Sequence, residues 1–508
     1  MSDMGTAMAS MASGQQAGSS RERSDVADLE KQLVREQCAP IPRMNSWSGT
    51  ERRLESSPEL QESRRLREPG GFRRGFLQAQ ALNDGVQQEE LPRRWTGRLV
   101  DTLRVQSFQV ESHFYGLDLD EDGTDEPPPA GAGNVNIAFL IFKGNCGCAI
   151  LYMPRGWMHG GLLLASIAVP LIGFMSIWCA LLLLKVRMQT AGHVGYGELM
   201  SHAMGPWGRS ATNFFIVLLQ SGICCTYFIV ACKLLQSTVC PQLGLNILIP
   251  CMAVAILPVV AIRKISSLWP LSLLGTVLVI FGIFVVFGLE VGGLVDSSER
   301  ELRWMNSDLL VCVGQACFMF EGIGLILPTY DASKNPQDFP WIYTVTQTAT
   351  LGLVCCIGVF GYMAFGQGVH NLILLDFDAG ALVFAVRFAF MLQVLCSFPL
   401  QMLPATRLIE SLFFEPVSDP PMSRKLAKTG FRSLLVICLA LIAFLGASHL
   451  DNFVSLIGAL CGVPLAFIFP AAAHYILIKE NQWMDVLLMA IGVVLTVLVT
   501  AVNIVAFL

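Results

Sequence analysis

Two short segments carry residue types that a plain membrane helix would avoid. The first is KGNCGCAILYMP, residues 143–154, and the second is FMFEGIGLILPTY, residues 318–330. Each sets glycines beside polar residues, follows them with an aliphatic run, and closes on a proline, Pro154 and Pro328. A mid-helix glycine costs about 1 kcal/mol relative to alanine, and its missing side chain uncovers backbone. In lipid, uncovered amides and carbonyls are tolerated only where they line a protein cavity. Such breaks can do chemistry without a catalytic group: a half-helix N-terminus offers amide donors to a carboxylate, and a C-terminal end offers carbonyls to an amine or cation. Two broken spans in corresponding positions predict a midplane substrate site between them. Close helix packing through small residues is the competing reading.

The ionisable residues within these segments are Lys143 and Glu321. Charges at such depth are rare and usually face a cavity or a partner. Glu321 is the candidate for proton binding, with a structural role as acceptor for freed amides as the alternative. Lys143 is expected to pair with Glu321 or to anchor the first half of its span. Arg387 is expected to reach outward to Asp376 or Asp378. Cys146-x-Cys148 has the spacing of a soft-metal ligand pair, but no His or Cys cluster accompanies it, so no metal is assigned. No phosphate-binding GxxxxGK[ST] occurs, which leaves ATP-driven transport and cofactor chemistry without support, and no enzyme activity is read.

The elements that must position these segments follow from the hydropathy. The chain has 508 residues, 53% hydrophobic and 14% charged, which excludes an ordinary soluble protein. Residues 1–132 hold 16 of the 34 basic and 22 of the 39 acidic residues, and this polar tail is expected to be cytosolic and largely disordered. Within it, RRWTGRLVDTLRVQSF (93–108) has an amphipathic pattern, and a linker is the simpler reading. DLDEDG at 118–123 begins like a calcium loop, but Pro129 stands where a bidentate glutamate belongs. No cleavable signal is seen, so the first span is expected to direct insertion.

From residue 133, apolar stretches of about 20 residues alternate with short polar loops. Eleven spans are predicted, near 134–158, 160–184, 211–236, 245–262, 267–293, 308–328, 341–364, 380–404, 431–448, 451–477 and 484–507. With the N-terminus inside, the predicted cytoplasmic loops and span ends hold twelve Lys and Arg and the external loops and span ends four, as the positive-inside rule asks. The odd count puts the C-terminus on the luminal or extracellular side. Fifteen of the 16 cysteines lie in this apolar region and read as small hydrophobes, Cys240 before Pro241 being the one plausible bridge.

At these residues the chain resembles the amino acid/auxin permease family of the amino acid–polyamine–organocation superfamily, over about residues 133–508. LIFKGNCGCAILYMPRGWMHGG is similar to its first helix and GYGELMSHAMGPWGR to the loop after its second. FMFEGIGLILP is similar to helix six, GYMAFG to helix seven, SFPLQMLPATRLIE to helix eight and FVSLIGALCGVPLAFIFPAAAHY to helix ten. The resemblance implies an all-α membrane fold of about eleven helices, a five-plus-five inverted repeat with broken helices one and six. It implies a secondary transporter of amino acids, commonly proton-coupled, with the vacuolar/lysosomal and proton-coupled branch the nearest in look. By position it implies that Cys146, Gly147, Cys148 and Ala149 face the substrate's amino and carboxylate groups. Phe320, Glu321, Gly322 and Ile323 would form the opposing wall.

There are departures. Where the family reads Gly-Thr-Gly this chain has Gly147-Cys148-Ala149, and the Lys some relatives carry in helix five is absent between Trp269 and Phe287. The implied partners are a small-molecule substrate, a coupling ion and the lipid bilayer, with no nucleic acid and with a cytosolic protein as the candidate partner of the tail. A vacuolar/lysosomal or plasma membrane is expected. Two other functions fit the same residues: sodium-coupled or uncoupled transport of another small amine or carboxylate, with Ser397 a candidate for the sodium site, and an amino-acid sensor signalling through the tail.

Overall fold

In the computed structural model, residues 133–190, 195–260, 269–295, 300–414 and 422–507 are described, and they are helical nearly throughout. The expectations for the tail, including the 93–108 pattern and the calcium-like loop, lie outside the described residues. Fourteen helices follow one another. They are α1 (Asn134–Asn145), α2 (Met153–Gly160), α3 (Leu162–Met188), α4 (Tyr196–Thr238), α5 (Leu245–Val260), α6 (Trp269–Val295) and α7 (Leu309–Met319), then α8 (Ile326–Asp331), α9 (Phe339–Phe365), α10 (Ala381–Phe413), α11 (Met422–Gly446), α12 (Leu450–Ile457), α13 (Phe469–Leu477) and α14 (Gln482–Phe507). Each predicted span coincides with one of these helices or with an adjoining pair.

The number of bilayer crossings differs from the predicted eleven. Among the described residues eight helical stretches are long and apolar enough to cross, or nine when the bent pair α1 and α2 counts as one. Two features account for the difference. Helix α5 has only 16 residues and two prolines, Pro250 and Pro258, short of the roughly 20 a bilayer needs. Residues 422–477 form one long helical run, yet a 3-10 turn at Ala447–His449, with His449 at φ −119° and ψ 46°, divides it.

Local chemistry sets several boundaries. Between α2 and α3 the chain turns at Gly161, whose φ of 77° is left-handed and suits glycine. There, Leu162 and Leu163 donate to the carbonyls of Arg303 and Trp304, and the Asn306 side chain donates to the Met158 carbonyl. The 300–308 segment thus caps one end of the molecule. The stretch GYGELMSHAMGPWGR, expected as a loop, is helical instead. Gly205, at φ 72° and ψ −167°, leaves helical geometry just before Pro206, so α4 is two helices meeting at a kink, and Tyr196 anchors the first of them by donating to the Leu465 carbonyl at 2.6 Å.

Charged residues placed by the sequence in loops are partly buried in pairs. Arg187 at the end of α3 meets Asp331 at the end of α8 at 2.6 Å, and Arg432 of α11 grips Glu410 of α10 through Nε and a terminal nitrogen at 2.6 and 3.0 Å. Removing one partner from a buried pair costs about 3–5 kcal/mol, because the other charge is left uncompensated. Glu410→Gln is therefore expected to lower the melting temperature of the solubilised protein. An unchanged melting curve would contradict the pairing. All fifteen cysteines among the described residues, Cys240 included, are free thiols.

Candidate functional site

The first span is broken as its glycines predict. Helix α1 ends at Asn145, Cys146 and Gly147 leave helical geometry (φ −90°, ψ 89° and φ −115°, ψ −154°), and a 3-10 turn at Cys148–Tyr152 leads into α2. The two halves are bent by 47°. The sixth span breaks at the matching place. Helix α7 ends at Met319, Phe320 departs to φ −97° and ψ 26°, and a 3-10 turn at Gly322–Leu325 precedes α8.

The breaks lie against each other. A Cβ on Gly322 would stand 2.8 Å from Cγ of Asn145, and one on Gly144 would overlap the end of Leu325. Asn145 is held from both sides: its Nδ2 donates to the Ile141 carbonyl at 2.8 Å, and its Oδ1 accepts from Gln347 of α9 at 2.9 Å. The carbonyl freed at Phe320 accepts from Ser176 of α3 at 3.0 Å. At Phe320 a side chain of a neighbouring helix thus satisfies backbone that lipid could not.

A cavity of about 210 Å³ reaches the second break. Glu321, Ile323 and Gly324 line it, with Gln220 of α4, Arg407 of α10 and Leu465 around them. The Glu321 carbonyl accepts from the Ile323 amide at 2.6 Å, and no hydrogen bond or ion pair joins the Glu321 carboxyl to another described residue. Gly462 packs beside it, a Cβ there lying 3.8 Å from Glu321 Cγ. Gly462 belongs to a π-helical stretch, Gly458–Gly462, followed by a second at Pro464–Ile468. Wide turns of this kind often mark functional sites.

The remaining predicted site residues are distributed unevenly. Cys146, Cys148 and Phe320 are almost fully buried, and none of Cys146, Gly147, Cys148, Ala149, Phe320 and Gly322 lines that cavity. The first break meets Tyr227 of α4 instead, whose hydroxyl lies 3.8 Å from where a Gly147 Cβ would stand. The Cys148 thiol lies 3.8 Å from the Tyr152 hydroxyl. Residue-by-residue reading missed Gln347, Ser176 and Tyr227, each a polar residue within a predicted span. Their polarity was the available signal.

Beyond the first break, α2 is tied to α12 by charged side chains. Arg155 of α2 donates to Asp451 at the start of α12 at 3.0 Å and to the Val369 carbonyl at 2.7 Å. His159 adds a 3.4 Å contact to the same Asp451 oxygen. Arg387 does not reach Asp376 or Asp378 as expected. It donates to the carbonyls of Leu374, Phe377 and Ser237, because a guanidinium fork matches several carbonyls at a loop crossing. Asp376 accepts from His370 instead, and burial pushes its carboxyl up while those hydrogen bonds oppose the shift.

Comparison with known proteins bears on the same region. Residues 131–507 match the family described as transmembrane amino acid transporter protein. The chain belongs to that family. It is 26% identical over 516 residues to vacuolar amino acid transporter 3 of Schizosaccharomyces pombe, an alignment covering 92% of this chain and 78% of that one. It is 28% identical to vacuolar amino acid transporter 4 of Saccharomyces cerevisiae, over 88% of this chain and 74% of the relative. Among solved structures, a Na+-coupled sialic acid symporter aligns with 80% of this chain and 95% of its own, at TM-score 0.47 and 12% identity. A likeness that distant carries no argument.

Proposed function

We propose that the chain is a secondary active transporter of amino acids, proton-coupled, working by alternating access around a midplane site between the breaks of spans one and six. The observation that carries this is the asymmetry around the two breaks. On one side a cavity leads to Glu321, and on the other Arg155, His159 and Asp451 bind α2 to α12. A site open to one end and closed at the other is one of the two states that alternating access requires.

The freed backbone suits a zwitterion. Amides at the starts of the half-helices receive a carboxylate, and carbonyls at the ends of α1 and α7 receive an ammonium group. Cys146, Gly147, Cys148 and Ala149 form one wall, and Phe320, Glu321, Gly322 and Ile323 the other. Tyr227 stands beside the first. Glu321, without a competing partner, is the proton-coupling carboxyl.

The full membrane count in this reading is eleven: α5 serves as a short span, and the run 422–477 crosses twice, turning at Ala447–His449. Repeats one to five and six to ten are inverted, the tail is cytosolic, and the C-terminus is luminal or extracellular. The likeness to vacuolar amino acid transporters supports a vacuolar or lysosomal membrane.

The test is uptake of pooled radiolabelled amino acids into proteoliposomes under imposed proton or sodium gradients. Flux driven by the proton gradient is expected, and Glu321→Gln should remove the pH dependence. Binding without flux would replace transport by sensing; flux that follows sodium alone would replace the ion.

A further inference from the structure

A second carboxyl lies buried in the membrane domain, away from the cavity. Glu290, in the last turns of α6, is fully buried, and neither of its oxygens has a hydrogen-bond partner. Its surroundings are the face on which α2 rests. A Cβ placed on Gly361 of α9 would be 2.8 Å from Glu290 Oε1 and 2.5 Å from the Pro154 ring, so the carboxyl and the first proline of α2 meet over the same glycine. One turn earlier on α9, Gly358 lies under the Trp157 ring, which places α2 flat on this surface.

Among the described residues no cation donates a hydrogen bond to either oxygen of Glu290. Of the charged groups on the packed elements, Arg155, His159 and Arg387 are engaged elsewhere, while the Nη1 of Arg300 is buried without a hydrogen-bond partner. From α2, Arg155 and His159 turn to Asp451. From α9, the Tyr362 hydroxyl meets the Arg303 amide and Gln367. From α10, Arg387 is spent on three carbonyls. Arg300, beyond the end of α6, lies over the Phe365 ring.

Burying an isolated carboxylate costs far more than binding a proton to it, so a carboxyl in this position is neutral. It stays neutral only while α2 covers it. When the outer half of span one leaves α9, water reaches the carboxyl and the ionised form becomes affordable to solvate.

We propose that Glu290 is a proton-binding site linked to the position of α2: the proton is held while α2 seals the outer end and exchanges when α2 moves away. This rests on the transport reading above but not on Glu321, which sits at the other break. Protonation of Glu290 stabilises the closed outer end, and opening that end releases the proton to the side then exposed. The link is reciprocal, as any binding linkage must be.

The experiment compares the wild-type chain with Glu290→Gln and Glu321→Gln in proteoliposomes, using pooled radiolabelled amino acids. Two fluxes are read: net uptake driven by a proton gradient, and exchange at equal pH. Linkages of this kind typically amount to roughly 5–150-fold. The glutamine at 290 mimics the neutral acid, so gradient stimulation is expected to fall by that order while exchange persists. A wild-type protein indifferent to the proton gradient would overturn both the proton reading and this inference. A proton-driven wild type with an equally driven Glu290→Gln would overturn this inference alone.

A readout that needs no transport guards against a variant that folds poorly. Infrared difference spectra of the wild type and Glu290→Asp are recorded across a pH titration in detergent. A protonated-carboxyl band that shifts with the aspartate is expected, and a band identical in both proteins would sink the assignment.

Discussion

Gly322→Leu should reach the membrane and fail to transport. Gly322 is the point where the second break touches the first, and Asn145 leaves no room for a side chain there. Asn145 cannot step aside cheaply, because its amide bonds Ile141 and its oxygen takes the Gln347 donor. Forcing extra carbons into a packed site costs about 1–3 kcal/mol. The larger consequence is geometric. Spreading the breaks by about 1 Å separates groups that must hold one ligand together, and misplacement on that scale can cost about 100-fold in rate. The control is Gly352→Leu on α9, where an added Cβ meets nothing within 4 Å on an exposed face. Uptake of labelled amino acids should fall to background for the first and stay near wild type for the second. Comparable uptake by both would show that the two breaks do not form one site.

The breaks were legible because their cause is local. Glycine pairs followed by proline weaken a helix wherever they stand, and both interruptions fall within the predicted segments. What holds the breaks together was not legible. Gln347 comes from a span with no other unusual feature, and its contact with Asn145 crosses 202 positions of sequence. Glu290 drew no reading from the sequence, since nothing in LEVGG tells that Pro154 and Gly361 close over it. Arg387 failed for a related reason. An acidic loop nearby suggested a carboxylate partner, whereas the guanidinium meets the carbonyls of Leu374, Phe377 and Ser237. The start of α4 differs from the expected loop for another reason: Gly205-Pro206 does interrupt helical geometry, but the segment before it is itself helical and is anchored through Tyr196.

Asp451→Asn is expected to open the end that is closed here. Asp451 is the one carboxylate that both Arg155 and His159 reach from α2, so its loss frees α2 from α12 while leaving the breaks and the cavity untouched. Hydrogen bonds involving a charged group contribute about 1.5–3 kcal/mol each. Arg155 and Asp451 are partly solvated, so the lower part of that range applies. Even so, every 1.4 kcal/mol is about tenfold in an equilibrium, and the ratio of closed to open outer ends should fall by roughly that factor. The native thiol at Cys148 reports the change. It is buried beside the first break, and a thiol reacts as its thiolate, which water must reach. A membrane-impermeant thiol reagent applied from the luminal or extracellular face should label Asp451→Asn faster than wild type, and Cys148→Ser should remove the added labelling. Asp308, whose carboxylate lies 3.7 Å from the other side of His159, is far more exposed, and its asparagine variant should change labelling little. Equal labelling rates in Asp451→Asn and wild type would mean that the ion pair joins the two helices without closing the path between them.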